Sequence, residues 1–146
     1  MADDMKSRIE SELEVKAYLQ NLKYALDNGA EVTFQSRRLV DKNRDKRFTN
    51  EYTVSKLFNN EDVIEALIRE LKTLSVEEYI RTIRDIRFPN KSEMREFGKV
   101  YNGTEDVYIK IRVEVMGLNG KATTFIMSFH FAENHFEDGM FPYRNN

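Results

Sequence analysis

The sequence predicts an α+β fold in which N-terminal helices pack on a C-terminal antiparallel β-sheet meander. Three observations carry this. Between Glu105 and Val115, the residues Val107, Ile109, Ile111, Val113 and Val115 alternate without a gap with Tyr108, Lys110, Arg112 and Glu114. A period of two over that length is a strand with one buried face and one wet face. Two earlier stripes, Val15-Tyr18-Leu19-Leu22-Leu26 and Val63-Ile64-Leu67-Ile68-Leu71-Leu74, recur at helical spacing instead. Finally, the helical patterns come first and the strand patterns after them, an order that favours α+β over alternating α/β.

Taken in order, the first helix is expected from about Ser7 to Asn28, ended by Gly29, whose freedom at positive φ suits a helix C-terminus. Its apolar stripe should dock on the sheet. Glu31 to Gln35 has the composition of a short strand. The run from Arg37 to Arg47 is polar, basic and aperiodic, the pattern of a loop. Asn59-Asn60 opens a second helix, with Glu61 and Asp62 suited to the positive end of its dipole. Ser75 and Glu78 have capping-box spacing. From Tyr79 to Phe88 the Ile and Thr content and the closing Pro89 favour a strand. Glu93 to Tyr101 is the next strand, followed by Asn102-Gly103, a strong two-residue hairpin signal. The long strand, the Gly117–Gly120 break and the Phe-rich strand 122–131 complete the meander, and the tail from Ala132 reads as irregular. A single domain spanning 1–146 is expected, with residues 1–30 as a helical extension and neither repeats nor a linker.

Composition narrows the function. No apolar run approaches the roughly 20 residues of a membrane span, and the N-terminus lacks the basic-then-apolar pattern of a signal peptide. Zero cysteines exclude disulfides, thiolate metal sites and a cysteine nucleophile. A cytoplasmic chain without a membrane partner is the expectation. The net charge of −2 hides segregation: residues 35–50 carry six cations against two carboxylates, and residues 81–112 carry eight against five. A local basic patch of this kind can bind phosphate on a mildly acidic chain, although charge alone is better fitted by a mixed solvated surface.

Register arithmetic puts particular residues side by side. A three-residue loop, Leu118-Asn119-Gly120, pairs Val107 with Phe131, Ile109 with Phe129 and Ile111 with Met127. A one-residue slip would mix core and solvent faces. Tyr108 then opposes His130, and Lys110 opposes Ser128. On the other edge, a two-residue Asn102-Gly103 turn would set Phe97 opposite Tyr108 and Arg95 opposite Lys110. One surface would then collect Arg95, Tyr108, Lys110, Arg112 and His130. Cations can stabilise a pentacoordinate phosphorane, and His or Tyr can move protons near neutral pH. An RNA substrate brings its own nucleophile, the 2′-hydroxyl, so no metal or other cofactor is expected. The spacing of His130, Glu133 and His135 fits no common ligand pattern.

Several segments from residue 60 to 143 are similar in order and spacing to the MqsR-like toxins of toxin–antitoxin systems, within the RelE-like ribonuclease group. They are Leu74 to Arg81, Phe97-Gly98-Lys99 with the following Asn-Gly, Val107 to Lys110, Met127 to His130, and Pro142-Tyr143. The resemblance implies a RelE-like sheet and a metal-independent endoribonuclease that cuts messenger RNA, free or on the ribosome, and is neutralised by a cognate antitoxin protein. It also implies Tyr108, His130 and Arg81 as catalytic residues, with Arg95 and Lys99 on the RNA phosphates, where the register reading adds Lys110 and Arg112. Arg81 stands where relatives carry a Lys. A guanidinium binds phosphate well but is a poor general base, so the proton transfers fall to Tyr108 and His130. The acidic helices also suit an alternative on the same fold, a non-catalytic binding or inhibitor protein, either a decayed toxin or one encoded by a mobile element.

Overall fold

The computed structural model describes residues 4–116 and 121–144. Its main elements, in chain order, are β1 (Met5–Arg8), α1 (Glu12–Asp27), β2 (Glu31–Phe34), α2 (Asn50–Leu57) and α3 (Val63–Leu71), then β3 (Tyr79–Asp85), β4 (Met94–Tyr101), β5 (Glu105–Met116) and β6 (Lys121–Phe131). Short 3-10 turns at Leu39–Asn43, Lys46–Phe48, Val76–Glu78 and Asp138–Met140 join them. The fold is α+β. None of these helices is long and apolar enough to cross a membrane.

The six strands lie in the order β1-β3-β4-β5-β6-β2. From β3 to β6 they form the expected antiparallel meander, β1 adds antiparallel to β3, and β2 lies parallel to β6. One face of this sheet is covered. Tyr79, Phe97, Val107, Ile109, Ile111, Ile126 and Phe129 meet Val15, Leu22 and Leu26 of α1, Val54 and Phe58 beside them, and Ala66, Leu67 and Leu71 of α3. Each fully buried Leu, Ile or Phe contributes about 1.5–3 kcal/mol relative to exposure.

Helix α1 starts later than Ser7, and capping explains it. Ser11 Oγ accepts from Glu14 N at 3.1 Å while Glu14 Oε1 accepts from Ser11 N at 3.0 Å, a reciprocal box that fixes the first turn. Residues before it are released to extend along β3. Asp62, rather than the Asn pair, caps α3 by accepting from Glu65 N at 3.0 Å. The segment expected to be a loop is followed by a helix of its own: Thr49 caps α2, its Oγ1 accepting from Tyr52 N at 3.2 Å.

Helix α2 also seals a sheet edge. Strand β2 covers only Thr123 to Ile126 of β6. Beyond it, Asn50 Oδ1 accepts from Phe129 N at 2.9 Å, and Asn50 Nδ2 donates to the carbonyls of Met127 (3.1 Å) and Gln35 (2.7 Å). Thr53 Oγ1 accepts from Phe131 N at 2.9 Å. Two side chains thus satisfy backbone groups that an exposed edge would leave open.

Register departs from expectation in two places. Across β5 and β6, Val107 pairs with Phe131, Tyr108 with His130, Ile109 with Phe129 and Lys110 with Ser128, as the alternation requires. A bulge then intervenes, and Ile111 pairs with Ile126 instead of Met127. The extra residue turns the strand over: Ile126 enters the core, and Phe125 moves to the other face, where the Arg112 guanidinium lies 4.7 Å from its ring centroid. The loop at Leu118–Gly120 lies outside the described residues. Across β4 and β5, Phe97 pairs with Ile109, Gly98 with Tyr108, Glu96 with Lys110 and Arg95 with Ile111. Burial of Phe97, which packs against Tyr79 at 5.9 Å between ring centroids, sets this register. Asn102 and Gly103 keep positive φ, and Thr104 becomes the third residue of the connection.

Candidate active site and phosphate-binding face

Opposite the helices, β3 to β6 present a face of their own. Along it run Arg81 from β3, Met94, Glu96 and Gly98 from β4, Tyr108, Lys110 and Arg112 from β5, and Ser128 and His130 from β6. A Cβ at Gly98 would lie 2.8 Å from ring atoms of Phe136 and Phe141. Glycine there lets the C-terminal tail close down on the sheet. The tail walls one side of a groove of about 860 Å³ lined by Arg44, Arg81, Glu96, Tyr108 and His130. Strand alternation places these side chains together, and the tail gives the groove depth.

Tyr108 and His130 meet, their ring centroids 5.4 Å apart. His130 Nδ1 lies 3.0 Å from the Phe131 carbonyl oxygen. A carbonyl can only accept, so the proton belongs on Nδ1, which leaves Nε2 as the basic nitrogen. Burial holds the imidazole below its ordinary pKa, the Phe131 carbonyl partly offsets this, and Arg44 and Arg38 lower it further. His130 is therefore neutral near pH 7. Tyr108 is shifted the other way. Burial, with the Glu96 carboxylate beside it, raises the phenol well above its usual range, and its hydroxyl donates to Glu96 Oε2. Arg81 Nε donates to the other oxygen of Glu96.

The cations next to this pair are less well matched. The run from Arg37 to Arg47, expected as a basic loop, carries Arg38 and Arg44 onto this face. Arg38 Nη1 donates to Ser128 Oγ at 3.0 Å, and Arg44 pairs with Asp41 at 3.3 Å. Lys110 lies opposite Glu96, whose two oxygens are already engaged by Arg81 and Tyr108. Among the described residues neither Arg38 nor Lys110 forms an ion pair. Burial lowers the pKa of both; Arg38 presses further on Lys110, and Arg44 on Arg38. Two neighbouring cations without ion pairs of their own, with Asp41 and Glu96 only partly offsetting them, can accommodate an anion.

Of the residues predicted from sequence, Arg81, Tyr108, Lys110, Arg112 and His130 share this face. Arg95 and Lys99 do not; the single surface that was to include Arg95 is not formed. The register that buries Phe97 sends its neighbours of the same parity, Arg95 and Lys99, to the helix-covered face. There Arg95 binds Glu10 through two hydrogen bonds of 2.9 and 3.1 Å, and Lys99 binds Glu78 at 3.1 Å. Arg38, Arg44 and Glu96 were missed. The first two sit in a stretch without periodicity. Glu96 had a signal: placing Phe97 in the core puts a carboxylate, not a second cation, opposite Lys110. His135 lies at the groove's rim and pairs with Asp106 Oδ2 at 3.2 Å. Compared with family models, curated protein sequences and solved structures, the chain matches none.

Proposed function

We propose that this protein is an endoribonuclease that cuts messenger RNA without a metal, the toxin of a toxin–antitoxin pair, built on a RelE-like arrangement resembling that of MqsR-like toxins. The observation that supports it best is the neighbourhood of two unmatched cations, Arg38 and Lys110, and a neutral histidine whose Nε2 is the basic nitrogen. In this reading Arg38 and Lys110 hold the scissile phosphate. His130 Nε2 takes the proton of the 2′-hydroxyl as that oxygen attacks phosphorus. The bond from phosphorus to the 5′-oxygen breaks, and Tyr108, kept as a phenol, protonates the leaving oxygen. The products are a 2′,3′-cyclic phosphate and a 5′-hydroxyl end. Arg81 steadies Glu96, which holds Tyr108 in place.

The test is incubation of purified protein with a 5′-labelled single-stranded RNA, with the ends identified chemically. Cyclic phosphate ends are expected, with cleavage falling about 10²- to 10⁴-fold in His130→Ala. RNA left intact by the parent protein, or cut equally well by the variant, would overturn the assignment. In cells, induced expression should arrest growth and create new 5′ ends in transcripts, and co-expressed antitoxin should prevent both.

The Arg81–Glu96–Tyr108 chain favours a second reading. A carboxylate already engages two of the three candidate catalytic side chains, as in a structural network. A non-catalytic protein would bind RNA on this face and release it uncut, and the same assay separates the two.

A further inference from the structure

Next to the catalytic groove, on the same sheet face, lies a second and smaller one of about 250 Å³. Its floor continues the same strands: Met94 lies beyond Glu96 along the antiparallel β4, Lys110 and Arg112 lie beyond Tyr108 on β5, and Met127 is the extra residue of the β6 bulge. Two residues along a strand advance about 7 Å, a step comparable to one nucleotide of an extended chain. The far wall is the β3–β4 connection, carrying Arg87, Phe88 and Lys91.

Phe88 stands out there. It is 49% exposed, with the Arg87 guanidinium 5.5 Å and the Lys91 ammonium 5.1 Å from its ring centroid. Its position is held by the turn: Phe88 N–H donates to the Asp85 carbonyl at 3.1 Å, and Lys91 N–H to the Phe88 carbonyl at 3.0 Å. Arg87 is fixed in turn by two hydrogen bonds to Asp85, at 2.8 and 3.0 Å. An exposed aromatic ring held between cations, over a groove floored by Lys110 and Arg112, has the components of a single-strand binding platform: a π-face for a base and charge for the backbone.

We infer that this groove binds the nucleotide adjoining the scissile bond, its base stacked on Phe88 and its phosphate held by Lys91, so that the substrate is single-stranded RNA. The inference rests on the proposed RNA-binding role of the neighbouring face. Bases paired in a duplex cannot stack on the ring, so the platform selects unpaired strands.

Fluorescence anisotropy with a labelled single-stranded RNA and its fully paired duplex tests this. The single strand should bind more tightly. Phe88→Ala should weaken it about 5- to 100-fold, Phe88→Tyr should restore binding, and Phe88→Leu should not. Lys91→Ala should reduce the dependence of log affinity on log salt by about 0.7. Equal affinity for strand and duplex, or a Phe88→Ala variant that binds like the parent, overturns the platform while leaving cleavage at His130 standing. A parent protein that binds no RNA overturns both. Binding without cleavage removes only the nuclease, and the Phe88 series still decides the platform.

Discussion

Arg95 and Lys110 are half-buried cations on adjacent strands of one sheet, one on each face, and their surroundings differ in kind. Arg95 is matched: Glu10 binds it through both carboxylate oxygens, and the Tyr18 ring centroid lies 4.2 Å from the guanidinium. Burial acts to lower its pKa, yet the Glu10 bonds raise it overall. Lys110 feels burial first and then Arg38, the Glu96 carboxylate opposite offsets them only in part, and its pKa falls. A buried charge is tolerated when the fold supplies its counterion, and is otherwise a standing cost that a ligand can relieve. The helix-covered face commits Arg95 and Lys99 to ion pairs, and among the described residues the open face leaves Arg38 and Lys110 without one.

The largest effect should come from breaking the matched side. Glu10→Ala strands Arg95 and removes the acceptor of Thr82 Oγ1, 2.9 Å away. A loss of about 3–5 kcal/mol is expected, read from urea unfolding. A loss below about 1 kcal/mol would mean that Arg95 is not held as described. Next is the tail over the open face. Gly98→Ala drives a methyl into the Phe136 and Phe141 rings and should destabilise by about 1–3 kcal/mol, with chemical shifts in the tail reporting its displacement. Unchanged stability and unchanged shifts would show that the tail sits more loosely on the sheet.

Lys110→Met should act in the opposite direction. Removing an unmatched charge from beside Arg38 is expected to leave stability unchanged or raise it by on the order of 1 kcal/mol, while RNA affinity falls at low salt. A destabilised variant would place Lys110 with Arg95 as a structural cation. The smallest effect concerns pH. His130 has a folded pKa below its ordinary 6.5, so as pH drops the unfolded chain takes up the proton first. Stability should therefore decline as pH falls from about 6.5 toward the lower folded value, with a slope of at most about 1.4 kcal/mol per pH unit. His130→Gln should flatten that part of the profile, and an equally steep profile in the variant would assign the slope to other groups.

How much of this was legible beforehand depends on what each residue had to satisfy. The uninterrupted alternation of β5 left a single workable register for the residues nearest His130, and the Tyr108–His130 pair followed from it. The same logic failed one turn of the pleat further on. Phe125, Met127, Phe129 and Phe131 look like a single apolar face, and nothing in hydropathy distinguishes that series from one in which Ile126 takes over after a bulge. On β4 the expected turn competed with Phe97; core burial of an aromatic ring outweighs a preference for a two-residue loop. That one-residue difference carried Arg95 and Lys99 to the other face and brought Glu96 to this one. Arg38 and Arg44 were beyond reach for another reason. Their placement depends on Asn50 and Thr53 clasping β6 some eighty residues away, and no local pattern records such a contact.

The strand lengths themselves restrict how another protein can grip this one. The sheet begins and ends with four-residue strands, β1 and β2, while its longest members, β5 and β6, lie inside, and the stretch of β6 that β2 does not reach is closed by Asn50 and Thr53. A partner seeking to extend the sheet by strand addition would meet four-residue ledges at β1 and β2. A partner of this protein would therefore gain more by seating side chains on the open face than by adding a strand to the sheet.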